Sequence, residues 1–277
     1  MEKLDRVADL RAALARSQRP LGLVPTMGAL HAGHLALVKR ARGECACVVA
    51  SIFVNPTQFG RGEDLADYPR PLSRDLALLE EERVDIVFAP SSEEMYPDGF
   101  ASTISVGGPA LPLEGAARPG HFDGVATIVA KLLGQSLPDR VYLGQKDGQQ
   151  VAVIRRLLRD LDIPTEIAVE PTVRAGDGLA LSSRNSYLAP VQRAAATVLY
   201  RALSSARDRF GGEKADPGDV EAFCRGIIES EPLIDRIDYV AAVDPDTIEP
   251  WTGHGPCMLA AAVRLGDVRL IDNVLFT

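Results

Sequence analysis

The chain has 277 residues, 46% of them hydrophobic and 25% charged, which is the make-up of an ordinary globular protein with material for one large domain or two modest ones. Lysines and arginines number 30 against 38 acids, a net charge of −8; a general nucleic-acid binder needs a basic face to release counterions, so that class is excluded. No run approaches the roughly 20 apolar residues of a membrane helix, and the opening residues lack the apolar centre of a secretory signal, so a cytoplasmic protein is expected.

In chain order, the apolar spacing first predicts an amphipathic helix in MEKLDRVADLRAALARSQRP, with Leu4, Val7, Ala8, Leu10 and Leu14 on one face. A buried strand follows at 21–25, a helix at 34–41, a second strand at 45–54 (CACVVASIFV), a helix at 72–82 and a third strand at 84–89. Residues 55–71 and 89–122 are rich in Pro and Gly; loops of that length in a compact domain generally carry function. Then come a helix at 124–134, a strand at 140–143, a helix at 147–161 and a strand at 165–170. Strands rich in β-branched residues, alternating with helices, indicate an α/β protein with a parallel sheet covered on both faces. After about residue 174 the pattern changes to one long helix at 190–210, a second at 217–230, and strands at 237–243, 258–265 and 268–276, the last two joined by a hairpin turn at Gly266-Asp267. Helices followed by strands suggest a separate, smaller α+β domain, so the expected division is 1–174 and 175–277.

Cys45 and Cys47 lie two apart in a predicted strand and are expected to face the same side; with Cys224 and Cys257 they read as reduced thiols. A zinc site would want a second closely spaced pair, and the sequence has none.

Five strings could carry chemistry. PTMGALHAGHL (25–35) runs from a strand through a glycine turn into a helix. A helix start offers backbone N–H groups and a partial positive charge, a ready anion site. His31 and His34, three apart, can project to one side there and donate N–H bonds to phosphate oxygens, while Gly28 and Gly33 allow close approach. The plainer reading is a pair of capping or core histidines; a metal reading lacks further ligands and the acid of a zinc-hydrolase helix. GQKDGQQ (144–150) follows a strand and precedes a helix, placing Lys146, a mobile point charge, at a strand's carboxyl end, where open α/β sheets bind ligands. Asp147 reads equally well as a helix cap partnered by Gln150. LSSRN (181–185) offers hydroxyls and a guanidinium suited to phosphate. FVNPTQF (53–59) offers Asn55 and Gln58, neutral polar groups that suit a small hydroxy acid more than a phosphate, and reads equally well as a Pro-anchored turn with exposed amides. RPGHFDGV (118–125) is either a loop closing over a site or a helix start.

Taken together, PTMGALHAGHL, SIFVNPTQF, LEGAARPGHFDGV, GQKDGQQ, LALSSRN and RLGDVRLIDN, in order from residue 25 to 273, resemble the pantothenate synthetase (pantoate–β-alanine ligase) family of the HxGH adenylyl-transferring proteins. The resemblance implies a Rossmann-like N-terminal domain binding ATP and pantoate, with the C-terminal α+β domain as a lid. It implies a two-step reaction: (R)-pantoate attacks the α-phosphorus of ATP to give pantoyl adenylate and pyrophosphate, then β-alanine displaces AMP to give pantothenate. It also implies Mg²⁺ with the nucleotide, a homodimer through the N-terminal domain, and no membrane or nucleic-acid partner. Position by position, Met27, Gly28, Ala29, Leu30, His31, Ala32, Gly33 and His34 match the ATP-binding segment, with His34 as general acid and His31 as its phosphate-binding companion. Gln58 and Gln150 match the pantoate glutamines, Gln58 also bordering the β-alanine site. Gly144, Gln145, Lys146 and Asp147 match a nucleotide-binding turn, with Lys146 on the phosphates and Asp147 near the ribose. Val173 matches a backbone contact to adenine, and Leu181, Ser182, Ser183 and Arg184 match a second phosphate clamp. A phosphorylated acceptor would want Arg or Lys where Gln58 and Gln150 stand. Two positions depart from the family string: Gln145 stands for an acid and Gly148 for an aromatic residue. A glycine early in a helix is expected to cost about 1 kcal/mol relative to alanine.

Overall fold

The structure, a computed structural model, describes residues 1–60, 62–212 and 214–277. It divides into two compact units, and the division is not a single cut near 174. Unit 1 comprises Met1–Gly107, Arg118–Gly144 and Val153–Glu170; unit 2 comprises Gly108–Ala117, Gln145–Ala152 and Pro171–Thr277.

Unit 1 is built on a sheet of six strands among the described residues, in the order β1-β4-β3-β2-β5-β6, all paired in parallel. The strands are β1 (Glu2–Leu4), β2 (Leu21–Thr26), β3 (Cys47–Ile52), β4 (Ile86–Phe88), β5 (Arg140–Gly144) and β6 (Glu166–Glu170). The connecting helices are α1 (Val7–Leu14), α2 (Ala32–Glu44), α3 (Leu72–Glu81), the single turn α4 (Ser92–Met95) and α6 (His121–Ser136), which follows a second short turn, α5 (Glu114–Ala117), of unit 2; α7 (Gly148–Asp160) begins in unit 2 and leads to β6. β3 and β4 are buried almost throughout, as a sheet covered on both faces requires. Val24, Val38, Val48, Val87 and Tyr142 pack in one core with Leu30 and Leu79. The order of strands reverses between β2 and β5: the chain leaves β2 toward β3 on one side and leaves β5 toward β6 on the other. In open parallel sheets ligands bind at the carboxyl ends of the strands at such a switch point.

Unit 2 is an antiparallel sheet of β7 (Arg236–Val243), β8 (Cys257–Leu265) and β9 (Val268–Phe276), covered by α8 (Pro190–Ala195), α9 (Val198–Phe210) and α10 (Pro217–Glu229). Leu199, Leu203, Cys224, Ile228, Leu259 and Val263 form the centre of its core. The β8–β9 hairpin turns at the anticipated place, with Leu265 opposite Val268 and Gly266 at a φ of 59°. α5 is tied to this sheet by charge: Arg269 donates to both oxygens of Glu114 at 2.6 Å and to Asp238 at 2.6 Å, and the Tyr239 hydroxyl donates to Glu114 at 2.8 Å. Gln149, at the start of α7, closes the same strap by donating to the carbonyls of Pro109 and Pro112 and accepting from the N–H of Glu114.

Three local expectations change. Leu4 does not lie on the face of the first helix but ends β1, an edge strand opposite Phe88. The helix expected at 190–210 is two, α8 and α9, and Thr197 at the break turns its hydroxyl to the carbonyl of Ala194 at 2.8 Å, the backbone competition typical of threonine. Cys45 caps α2, with its sulfur 3.2 Å from the Tyr142 hydroxyl, and Cys47 opens β3, so the two do not share a strand; all four cysteines are buried free thiols. RPGHFDGV is a helix start, Gly120 at φ 81° preceding α6.

Leu203 is fully buried in the core that also holds Trp251, the chain's one tryptophan. Leu203→Ala is expected to lower the stability of this unit by about 2–5 kcal/mol, read as an earlier urea midpoint in tryptophan fluorescence.

Candidate active site

The segment after β2 is shaped by a buried acid. Asp75 of α3, 1% exposed, accepts the N–H of Ala29 at 2.8 Å and of Leu30 at 2.9 Å. The turn this demands places Gly28 at φ 80° and Ala29 at φ 51°. A Cβ on Gly28 would come within 3.0 Å of the Asp75 carboxylate and 3.1 Å of Ile52, so position 28 needs glycine for both conformation and space. Thr26 anchors the strand end, donating to the carbonyl of Ser51 at 2.6 Å and accepting from the N–H of Gly28 at 3.2 Å.

The turn delivers His31 to the cap of α2. Its Nδ1 accepts the N–H of Gly33 at 3.1 Å, and Nδ1 of His34 accepts the N–H of His31 at 3.4 Å, a reciprocal capping box made of two imidazoles. The rings lie 4.1 Å apart between centroids. The capping reading and the phosphate reading are therefore compatible. With each Nδ1 accepting, the proton of a neutral ring is assigned to Nε2, which becomes the donor for chemistry.

Gln58 belongs to the same unit and meets this segment. Its Nε2 donates to the Met27 sulfur at 3.2 Å, and its Oε1 accepts from Asn55 Nδ2 at 3.0 Å. Asn55, 1% exposed, also donates to the carbonyl of Gly124 and accepts from the Tyr96 and Thr57 hydroxyls, so the glutamine is held by a residue with no freedom of its own. α6 packs directly on this turn: a Cβ on Gly124 would lie 2.4 Å from the carbonyl oxygen of Thr57. From outside, His121 Nδ1 stands 2.8 Å from the Gln58 carbonyl and Arg118 Nη1 stands 3.0 Å from His121 Nε2. Arg118 in turn forks onto Glu63 with two bonds of 2.7 Å. Burial alone would raise the Glu63 carboxyl, but Arg118 holds it down at about 2.

The remaining predicted residues, apart from Gly144, which ends β5, belong to unit 2. Gln145, Lys146 and Asp147 form a 3₁₀ turn running straight into α7, with Lys146 Nζ 3.4 Å from Asp147 Oδ1; Gln150 stands half-buried on the first turn of α7. Gly148 is the first helical residue, and its absent Cβ matters for packing: it would meet the Met258 sulfur at 2.5 Å and Gln145 Nε2 at 2.9 Å. The glycine therefore leaves space that the Met258, Gln145 and Asn273 side chains occupy, and a larger residue here would have to displace them. Val173 and Leu181 are brought together by a short antiparallel turn, Leu181 N–H donating to the Val173 carbonyl at 3.0 Å and Arg174 pairing with Ala180. Ser182 caps the 3₁₀ turn Ser183–Tyr187 by accepting the N–H of Arg184 at 3.3 Å.

Sequence reasoning missed Asp75, Glu63 and the partners of the Lys146 turn. Asp75 sits in LSRDLALLEE, where an acid reads as an exposed helix face. Among the described residues no group of three or more His, Cys, Asp or Glu is arranged to hold a metal ion, and no helix is long and apolar enough to cross a membrane.

The fold and the histidine-capped loop define a nucleotide-handling α/β protein of the HxGH type. Comparison with known proteins narrows this. The family model described as pantoate-beta-alanine ligase matches residues 1–275. Pantothenate synthetase of Roseiflexus sp. strain RS-1 is 55% identical over 274 residues, covering 99% of this chain and 98% of that protein. The crystal structure of pantothenate synthetase from Thermus thermophilus superposes with a TM-score of 0.93 at 51% identity, covering 99% of both chains. That of pantoate-beta-alanine ligase from Francisella tularensis, complexed with beta-gamma ATP and beta-alanine, gives 0.82 at 35%, covering 99% of this chain and 97% of that one. The chain belongs to the pantoate–β-alanine ligase family, and its reaction is that family's ligation.

Asp75→Ala strips the acceptor from two buried N–H groups, each loss worth about 1–3 kcal/mol. It is expected to weaken MgATP binding at least roughly tenfold by calorimetry; unchanged affinity in a folded variant would contradict the role given to this loop. Glu63, held below its ordinary value, contributes stability in full above that value and loses it as pH falls toward about 2. Urea midpoints should therefore fall from about pH 5 to about pH 3 more steeply in the parent than in Glu63→Gln; equal slopes would remove the pair from the account.

Proposed function

We propose that this chain joins (R)-pantoate to β-alanine through pantoyl adenylate, with MgATP as co-substrate. The observation that carries the reading is the pair of imidazoles capping α2, with both Nδ1 atoms engaged by backbone and both Nε2–H groups serving as the ring donors, beyond the strand at the sheet's switch point. In the first step a carboxylate oxygen of pantoate bonds to the α-phosphorus and the bridge to the β-phosphorus breaks. The substrate brings its own nucleophile, so the protein's task is to position, to neutralise and to exclude water. Negative charge grows on the departing pyrophosphate; His34 as general acid, His31, Lys146, Ser182, Ser183 and Arg184 are the groups that meet it. Met27, Gly28, Ala29, Leu30, Ala32, Gly33, Gly144, Gln145, Asp147, Val173 and Leu181 complete the ATP site, Asp147 by the ribose and Val173 by its backbone at adenine. Gln58 and Gln150 hold pantoate, and Gln58 borders β-alanine. In the second step the β-alanine nitrogen bonds to the acyl carbon, AMP leaves with the carboxylate-derived oxygen, and the amine releases its proton.

Mg²⁺ accompanying ATP would supply charge neutralisation to the departing pyrophosphate, beside the groups named above. A homodimer formed through the N-terminal residues, a lid role for the C-terminal ones and a cytoplasmic setting belong to the same proposal. They rest on the resemblance of the six sequence strings.

Exchange of labelled pyrophosphate into ATP tests the adenylate step: it should require (R)-pantoate and not β-alanine. His34→Ala and Lys146→Ala should abolish it while the melting temperature moves little. A folded Lys146→Ala variant that exchanges at the parent rate would remove that lysine from the phosphate site.

A further inference from the structure

Lys146 has a long, mobile side chain, so what fixes its reach is the backbone it leaves from. That backbone is clamped by one residue 127 positions away. Asn273 of β9, 4% exposed, donates both Nδ2 protons to main-chain carbonyls, of Gln145 at 2.9 Å and of Lys146 at 2.9 Å. Its Oδ1 accepts from Gln145 Nε2 at 2.9 Å. Carbonyls cannot donate, so the two bonds to carbonyls fix which way the Asn273 amide points and turn its Oδ1 toward Gln145 Nε2. The glutamine at 145 is thus the matched partner of Asn273. Position 148 is part of the same fit: a Cβ on Gly148 would lie 3.2 Å from Asn273 Nδ2 and 2.9 Å from Gln145 Nε2.

Asn273 is itself held from behind. Its N–H donates to Asp272 Oδ1 at 2.8 Å, and Asp272 is gripped by two bonds from Arg174, at 2.5 and 3.0 Å. Arg174 lies over the Tyr200 ring at 3.8 Å from its centroid. Asp272 is nearly fully buried; burial pushes its carboxyl upward, and Arg174 and the Lys146 ammonium pull it back. Every bond in this chain of contacts lies within unit 2.

We propose that Asn273, oriented by Gln145 and given room by Gly148, is a positioning residue for Lys146: its side-chain amide holds the turn from which the ammonium reaches the phosphates of ATP. This rests on the reading of Lys146 as a phosphate-binding lysine. Removing the amide takes the side-chain donor from two partly buried carbonyls and lets the turn drift, and misplacement by about an ångström costs a reaction of this kind roughly 100-fold.

The test is a double-mutant cycle of Asn273→Ala with Lys146→Ala in the full chain, read as kcat, KM for each substrate and the Kd of MgATP. Asn273→Ala alone is expected to lower kcat/KM for ATP roughly 10- to 100-fold, with KM for β-alanine within about twofold. On the Lys146→Ala background, where no turnover remains to be read, it is expected to change the Kd of MgATP by less than about threefold, since coupled residues do not add. Asn273→Asp, which keeps the shape of the side chain and an acceptor for Gln145 but removes both donors, should reproduce the Asn273→Ala phenotype with the core intact, which serves if Asn273→Ala folds poorly. Losses in affinity that multiply in the Lys146→Ala background, or a folded Asn273→Asp with parent kinetics, would overturn the proposal. Failure of the underlying ligase reading appears separately, as no AMP from the parent chain with pantoate and β-alanine; the Kd cycle still decides the role of Asn273.

Discussion

Two backbone N–H groups, those of Ala29 and Leu30, turn inward onto a buried carboxylate, and the loop at the carboxyl end of β2 is arranged round that fact. A chain leaving a buried strand carries polar groups that must find partners. Asp75 supplies both, from a helix far along the chain. Its bonds are charge-assisted, and they offset the roughly 1–2 kcal/mol that a non-glycine residue at positive φ costs at Ala29. Because those amides are spent internally, the donors that this loop presents outward are its imidazoles. The helix cap then orients the imidazoles, since each Nδ1 is tied to a backbone N–H and each ring proton is placed on Nε2.

The same device recurs with its polarity reversed. Where the first loop has amides held by an acid, the turn carrying Lys146 has carbonyls held by an amide, Asn273. The NPTQ turn is held by a third, Asn55, whose acceptor and donors are all committed. In each case the group that would touch substrate is mobile or adaptable, and the group that places it is buried, short and fully bonded. That is the arrangement needed when catalysis consists of holding two substrates in line rather than of attacking one of them.

Much of this was legible in the sequence because it is local. The strand, glycine turn and helix of PTMGALHAGHL follow one another directly, and period and turn chemistry are enough to place them. The hairpin at Gly266 is local too. The edge strand β1 escaped because three residues, two of them charged, carry no period, and the break between α8 and α9 escaped because AAATV continues a helical pattern without a glycine or proline. The supporting residues were hidden for a different reason. Asp75 against Ala29, Glu63 against Arg118 and Asn273 against Lys146 are paired across 46, 55 and 127 positions, and nothing in their own surroundings distinguishes them from surface polar residues. The domain boundary was obscured likewise, since Gln145–Ala152 joins unit 2 although it lies between two elements of unit 1.

The central claim is that the carboxylate of pantoate, not a side chain of the protein, attacks the α-phosphorus. Pantoate labelled with ¹⁸O in its carboxylate tests this in one turnover. An acyl adenylate keeps one labelled oxygen on phosphorus when the amine displaces AMP, so the account predicts AMP carrying one ¹⁸O and pantothenate retaining the other. Unlabelled AMP, or label found in inorganic phosphate beside ADP, would contradict it.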